Sequence, residues 1–277
     1  MVSNLVVFLF ENPVSKRLIR LFFHTFRFRK DVKIKLGGQI MFTPSLDRII
    51  SLYLKKFSIM DASEAEFLKS VIKKGMKVVD VGSNIGYYTL IAADLIGSGG
   101  RVFSFEPDTE NFRLLQKNIS ENNCQNIEAI NLAVSDKTGK LRLFLSEENQ
   151  GDHRIYDSGS KRQSVEVGAT SLDDFLKDRP VDFIKIDVEG AEPLVFAGMG
   201  GVIKNNPKVL IMMEFWPHGL KMAGFSPDDF LKNIQNQGFA IYFTEGHQKE
   251  LKVFDDRKLL NLCRGKNYIN IFLRKTT

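Results

Sequence analysis

One stretch of thirty residues constrains the fold of this chain more than any other. It opens Met76-Lys-Val-Val-Asp80-Val-Gly82-Ser-Asn84-Ile-Gly86-Tyr-Tyr-Thr-Leu, continues through a helical segment, and closes with Arg101-Val-Phe-Ser-Phe, just ahead of Glu106-Pro107. An apolar strand breaks into a glycine loop, the loop opens a helix, and a second apolar strand ends on a carboxylate 24 residues after Gly82. That order is the pattern of a nucleotide-binding β-α-β unit, and it sets the expectation of an α/β, Rossmann-like sheet. Gly82 and Gly86 let the backbone turn and approach a ligand without a Cβ in the way. Glu106 stands where a carboxylate accepts both hydroxyls of a ribose.

The loop also bears on which nucleotide. Dinucleotide sites use G-x-G-x-x-G, in which glycines and a helix N-terminus receive a pyrophosphate. Here the spacing is Asp80-x-Gly82-x-Asn84-x-Gly86, and Tyr87 occupies the third-glycine position. Asp80 just before the turn would repel a pyrophosphate. S-adenosylmethionine, which carries a sulfonium, an ammonium and a ribose, fits the loop better. The nicotinamide-dependent Rossmann oxidoreductase is the rival enzyme class.

Charge is concentrated at the front. Residues 1 to 60 hold eleven Lys or Arg against Glu11, Asp31 and Asp47, a balance of +8, while the whole chain is +6, so the remainder is −2. A basic segment interleaved with Leu, Ile and Phe suits either an anionic membrane surface or packing on the domain with a solvated basic face. A peripheral membrane contact through residues 1–60 is therefore an expectation. Nucleic acid is not, because no recognised motif accompanies the charge. The apolar opening from Met1 to Phe10 is too short to span a bilayer and lacks the marks of a secretion signal. The two cysteines, Cys124 and Cys263, form neither a disulfide framework nor a metal pattern, which points to a reducing, cytoplasmic setting.

Taken in order, residues 14 to 30 have an amphipathic helical pattern, and Val32–Leu36 and Gln39–Phe42 flank Gly37-Gly38 as a hairpin. We assign residues 1–60 to this extension and 61–277 to the catalytic domain. Ser63-Glu-Ala-Glu66 has the form of a capping box. Asp108 caps a helix with Phe112, Leu115 and Ile119 inward; a strand over 127–132 then leads to Ala133-Val-Ser-Asp136 at the ligand edge. Shorter strands over 141–145 and 164–167 follow. Val181-Asp-Phe-Ile-Lys-Ile-Asp187-Val-Glu189 is a buried strand with an acidic turn, and Val209–Met213 delivers Glu214, Trp216 and His218. Ser226-Pro227 starts a helix that Gly238 stops, and Phe239–Phe243 with Tyr268–Leu273 finish the sheet as an antiparallel pair.

Taken together, Asp80-Val-Gly-Ser-Asn-Ile-Gly86-Tyr-Tyr-Thr, Phe105-Glu-Pro107, Ala133-Val-Ser-Asp136, Thr170-Ser-Leu-Asp-Asp174 and Ile184-Lys-Ile-Asp-Val-Glu-Gly-Ala-Glu192 closely resemble the FkbM-type methyltransferase family, over roughly residues 32 to 275. The last block is the most specific. The resemblance implies a seven-stranded, mostly parallel sheet with helices on both faces, the class I methyltransferase fold, and usually transfer to a hydroxyl oxygen. It places Gly82, Asn84 and Gly86 at the methionine part of S-adenosylmethionine, Glu106 on the ribose, Asp80 beneath the loop, Ala133 and Val134 beside the adenine, and Asp187 near the methyl group. Ser83 departs from the family's common Ala.

Methyl transfer is mainly a task of alignment, and a hydroxyl acceptor must lose a proton as it attacks. Asp187, His218 and His153 are the leading candidates for that base, with Glu189 and Glu214 behind them. Asp187, Glu189 and Glu214 on two strand ends form no recognised metal spacing, so no metal is assigned. The acceptor is expected to be a small-molecule or glycan hydroxyl, on a sugar, glycolipid or secondary metabolite. A membrane-docked scaffold without activity is the non-enzyme rival.

Overall fold

The computed structural model describes residues 31–36, 38–43, 59–146, 151–159, 161–243, 252–253 and 256–276. The helix expected over 14–30, the apolar opening, most of the basic front section, His24 and His247 lie outside them. In chain order the strands are β1 (Val32–Leu36), β2 (Gln39–Thr43), β3 (Lys77–Val81), β4 (Arg101–Phe105), β5 (Ile127–Ile130), β6 (Ala133–Val134), β7 (Gly139–Phe144), β8 (Ser164–Thr170), β9 (Phe183–Ile186), β10 (Leu210–Phe215), β11 (Phe239–Phe243), β12 (Lys252–Val253) and β13 (Ile269–Lys275). Three helices near the site are α1 (Ile59–Val71), α2 (Tyr87–Ile96) and α3 (Thr109–Glu121).

The main sheet runs β12-β11-β13-β10-β9-β3-β4-β5. Its five strands from β10 to β5 are parallel, and β13 inserts antiparallel between β10 and β11. Seven strands thus make up the sheet, with the two-residue β12 along its edge, as the class I methyltransferase expectation requires. The strand order reverses between β3 and β9, and ligands of open α/β sheets sit outside the carboxyl ends of strands at such a reversal.

The parallel strands are buried on both faces, so alternate residues feed two cores. Val79, Val81, Ile184, Ile186, Ile211 and Met213 point into one, while Val78, Val102, Phe183 and Met212 pack with Phe67, Leu68 and Ile96 of α1 and α2 in the other. Near their carboxyl ends the α1/α2 face turns polar. Ser104, Asp80 and Lys185 are cross-strand neighbours there, in a row where apolar residues would be expected.

The β1–β2 hairpin is docked on α3 by two asparagines one helical turn apart. The Ile40 and Phe42 backbone N–H groups donate to Asn122 Oδ1 at 2.9 Å and Asn118 Oδ1 at 2.6 Å, and Asn118 Nδ2 donates onward to the Ile85 carbonyl at 2.8 Å. These bonds explain a correction. The buried face of α3 is Asn111, Leu114, Leu115 and Asn118, and Phe112 and Ile119, expected inward, are only half-buried. Other boundaries differ as well. Helix α1 begins at Ile59, so Ser63 lies inside it, because Met60 and Ala62 are good helix formers that let it extend back a turn. The strand expected to end at Leu132 stops at Ile130, where Asn131 Nδ2 donates to the Glu106 and Pro107 carbonyls at 2.8 and 3.1 Å and turns the chain. Ala133 and Val134 then join β8 and β7 in a separate three-stranded sheet. No helix among the described residues is long and apolar enough to cross a membrane.

Candidate active site

The glycine loop is held on the end of β4 by three bonds to one carbonyl: Gly82 N–H, Ser83 N–H and Ser83 Oγ all donate to Phe105 O, at 3.1, 3.0 and 2.9 Å. Ser83 is buried, and its hydroxyl helps hold the loop. Gly82 has φ +79°, and a Cβ there would stand 1.9 Å from the Asp187 carbonyl oxygen, so the loop meets the end of β9 as bare backbone. Asn84 takes φ +54°, which a short amide tolerates, and its Oδ1 accepts from Ile85 N–H at 2.8 Å. Gly86 is the N-cap of α2 with φ +93° and no side-chain cap, which leaves the first N–H groups of that helix facing the loop.

Glu106 is 5 % exposed beside this loop. Its Oε2 accepts from Asn84 N–H at 2.8 Å and its Oε1 from Asp108 N–H at 3.0 Å and Asn111 Nδ2 at 3.4 Å. Burial pushes the carboxyl up to about 7 despite the two backbone donors. A carboxylate has about four acceptor sites, so these bonds fix its orientation and leave capacity for a diol. It borders a narrow cavity of about 60 Å³ that is also lined by Gly82, Asn84, Leu132, Ala133, Val134, Leu143, His153, Asp187 and Glu189. Loop backbone, a ribose-type acceptor and the apolar pair Ala133–Val134 together suit S-adenosylmethionine.

A second cavity, of about 340 Å³, shares Asp187 and Glu189 with the first and is walled by Glu64, Tyr88, Arg154, Lys185, Glu214, Trp216, Tyr268 and Asn270 among others. It has a different chemistry: charged side chains supply the wall where the first cavity uses main chain. Lys185, 5 % exposed, donates to Asp187 Oδ2 at 3.0 Å, lies 3.9 Å from Asp80 Oδ1 and 4.7 Å from the Tyr88 ring centre. Burial works to lower this ammonium, but the Asp187 and Asp80 carboxylates outweigh it and hold it above its ordinary value. Burial raises Asp80, opposed by Lys185 and by the Thr89 hydroxyl, which donates to Asp80 Oδ2 at 2.6 Å.

Three carboxylates crowd the shared wall, with one oxygen each of Asp187, Glu189 and Glu214 lying within 4.8 Å of the others. Such a set accommodates a shared proton or a hard cation. Burial, then the Asp187 charge, pushes Glu189 up to about 8 and Glu214 well above its usual range. Glu214 and Asp187 stand close enough for each negative charge to disfavour the other. Glu189 takes φ +58°, a left-handed conformation that a non-glycine residue adopts at a cost of about 1 kcal/mol or more. Its carbonyl is tied by the Tyr156 hydroxyl at 2.6 Å, and Glu192, pushed up to about 7 by burial, accepts from Val188 and Gly190 N–H at 3.2 Å.

The remaining candidates lie elsewhere. His153 lines the narrow cavity, with Nδ1 accepting from Ser146 N–H at 3.0 Å and Nε2 3.9 Å from Asp108. His218 packs edge-on to Trp216 at 5.7 Å and is among the lining residues of neither cavity. Sequence reasoning passed over Lys185, Arg154, Glu64 and Asn270. Lys185 had a signal, a lone charge inside the apolar run Phe183-Ile-Lys-Ile. Arg154 had none: it reaches the site through an isolated bridge to Phe144 and lies 5.0 Å above the Trp216 ring.

The family model of the methyltransferase FkbM domain matches residues 80–241, more than half of the chain. A protein-L-isoaspartate O-methyltransferase of Caenorhabditis elegans is 30% identical over 81 residues, covering 29% of this chain and 36% of that protein. A probable cobalt-precorrin-6B C(15)-methyltransferase (decarboxylating) of Saccharolobus solfataricus is 30% identical over 100 residues, 36% of this chain and 47% of that one. The chain thus matches less than half the length of these curated relatives. Among solved structures, a SAM-dependent methyltransferase from Aquifex aeolicus aligns with TM-score 0.47 and 15% identity over 83% of this chain and 97% of that one. A SAM-dependent O-methyltransferase from Thermotoga maritima aligns with TM-score 0.46 and 12% identity over 90% and 86%.

Proposed function

The chain belongs to the FkbM family of S-adenosylmethionine-dependent methyltransferases, and we propose on that premise that it methylates a hydroxyl oxygen of a sugar, glycolipid or secondary metabolite held in the second cavity. The observation that carries this reading is the wall common to both cavities, where Asp187 faces the cofactor loop on one side and the polar, aromatic-lined space on the other. When bound, S-adenosylmethionine supplies a methyl carbon activated by its sulfonium, so a C–O bond forms as the C–S bond breaks and its electron pair returns to sulfur.

The chain's own residues do the positioning. Gly82, Asn84 and Gly86 bring main chain to the methionine part, Glu106 accepts the ribose hydroxyls, and Ala133 and Val134 border the adenine. Asp80 steadies the loop from below through Thr89 on α2. Asp187, paired with Lys185 at 3.0 Å, takes the proton the acceptor hydroxyl loses. Glu214, its carboxyl raised well above the usual range by burial, stands beside it. The basic front section gives the protein a means of meeting an anionic membrane where a glycolipid acceptor would reside; deleting residues 1–30 and measuring vesicle flotation tests that part.

The deciding experiment is calorimetric titration with S-adenosylmethionine, S-adenosylhomocysteine and NAD, repeated on Glu106→Ala. Binding of the two adenosyl ligands alone, weakened about a hundredfold in the variant as hydrogen bonds to a charged group are lost, supports the reading and opens an acceptor screen starting with sugars. Preference for NAD would sink it.

A further inference from the structure

Asp80, Lys185 and Asp187 belong to different parts of the machinery, yet one buried cation touches all that joins them. Asp80 lies directly beneath the glycine loop and is 2 % exposed; its Oδ2 is taken by Thr89, and its Oδ1 makes no hydrogen bond among the described residues. Lys185 Nζ stands 3.9 Å from that orphaned oxygen and 3.0 Å from Asp187 Oδ2. Its position is set by register: Lys185 pairs across the sheet with Asp80 on β3 and Met212 on β10, which aims its stem into the α1/α2 core and its head along the strand toward Asp187. A lysine buried in an apolar strand costs several kcal/mol unless the charge is satisfied. A leucine or methionine would fill the same space without that cost.

We infer that Lys185 is a positioning residue: its ammonium orients the Asp187 carboxylate and holds it ionised at the wall common to both cavities, and through Asp80 ties that orientation to the glycine loop. This deepens the methyl-transfer reading given above and rests on it. Asp187 needs such a partner because the other groups facing it are mostly acidic. Glu189 and Glu192 lie on the loop and helix that follow, Glu214 on β10 and Asp152 on the loop over the site; Arg154 is committed to Asp152 at 2.6 Å, and Glu64 of α1 accepts from Tyr88 and Asn270. Without Lys185 the Asp187 carboxylate is left among mostly acidic neighbours, which favours its protonated form, and the base is lost.

The test uses the full chain labelled with carboxyl-¹³C aspartate, at pH 7, with S-adenosylhomocysteine titrated into the same samples. The Asp187 signal is identified by its loss in Asp187→Asn. In the parent protein it is expected at the ionised position. In Lys185→Met it moves toward the protonated position, and in Lys185→Arg, which restores a cation, it returns. In Lys185→Ala, n-propylamine restores the ionised signal and propan-1-ol, equal in size but neutral, does not. An unmoved Asp187 signal in any folded Lys185→Met or Lys185→Ala protein overturns the proposal, as does equal rescue by the alcohol. Failure of both variants to fold, seen by circular dichroism, also overturns it, since the lysine is then only structural. Should the parent protein itself not bind S-adenosylhomocysteine, the methyl-transfer reading falls while the Lys185–Asp187 coupling is still read directly.

Discussion

The two cavities that share Asp187 and Glu189 are built by opposite means. Around the glycine loop the recognition surface is mostly main chain: Gly82, Asn84 and Gly86 in left-handed conformations, the open end of α2, and one carboxylate fixed by N–H donors. On the α1/α2 side the surface is side chain, with acids, a buried lysine, an arginine on an indole and a ring of hydrogen bonds to Glu64. The difference teaches where each can vary. A backbone cradle changes only if the fold changes, whereas a side-chain wall can be rewritten residue by residue, so one cofactor site can serve many acceptors.

That contrast makes three outcomes unequal. Asp187→Asn changes a side chain of the shared wall and leaves the main-chain cradle intact. With an acceptor found by the screen, its turnover number should fall by about 10²–10⁴, the usual worth of a positioned base, while calorimetry shows cofactor affinity changed by less than tenfold. Comparable losses in both would show that the two sides are one unit. Gly82→Ala strikes the cradle: a Cβ 1.9 Å from the Asp187 carbonyl at φ +79° cannot be accommodated without moving the loop or β9. We expect about 2 kcal/mol or more of lost stability in urea unfolding together with loss of S-adenosylhomocysteine binding. Retained binding would mean that the cradle is softer than its geometry implies.

The smallest effect concerns pH. Glu106 and Glu192 are pushed up to about 7 and Glu189 to about 8. Each carboxyl is raised in the folded state, so the folded protein holds more protons, and the stabilisation is complete below the unfolded value near 4.5 and is lost as pH rises through 7 to 8. Even a third of the shift on one of these groups is about 1 kcal/mol. The melting temperature of the ligand-free protein should therefore decline between pH 5 and pH 8, and the decline should flatten in Glu189→Gln. A midpoint rising across that window would show that these acids are ionised together.

Much of this was legible in order along the chain. The glycine loop, Glu106 and the parallel β-α-β grammar depend on local residue types and spacing, and runs such as Val78–Val81 and Ile184–Ile186, apolar but for one charge each, declare burial wherever they sit. Of the boundaries that slipped, Ile130 for Leu132 was settled by the Asn131 bonds to the Glu106 and Pro107 carbonyls, which spacing does not encode, whereas Ile59 for Ser63 follows the helix propensity of Met60 and Ala62. Only the tertiary structure decided which distant groups meet. Lys185 and Asp187 are two residues apart in sequence, but Asp80 lies 105 residues before Lys185 and Glu214 lies 27 after Asp187, and it is the order β4-β3-β9-β10 that sets them side by side. The same packing separated the two histidines that the sequence ranked beside Asp187, putting His153 over the narrow cavity and His218 against Trp216. Spacing along a chain reports which turn or strand a residue occupies; which charges share a buried wall follows from strand order and register, which arise when the sheet assembles.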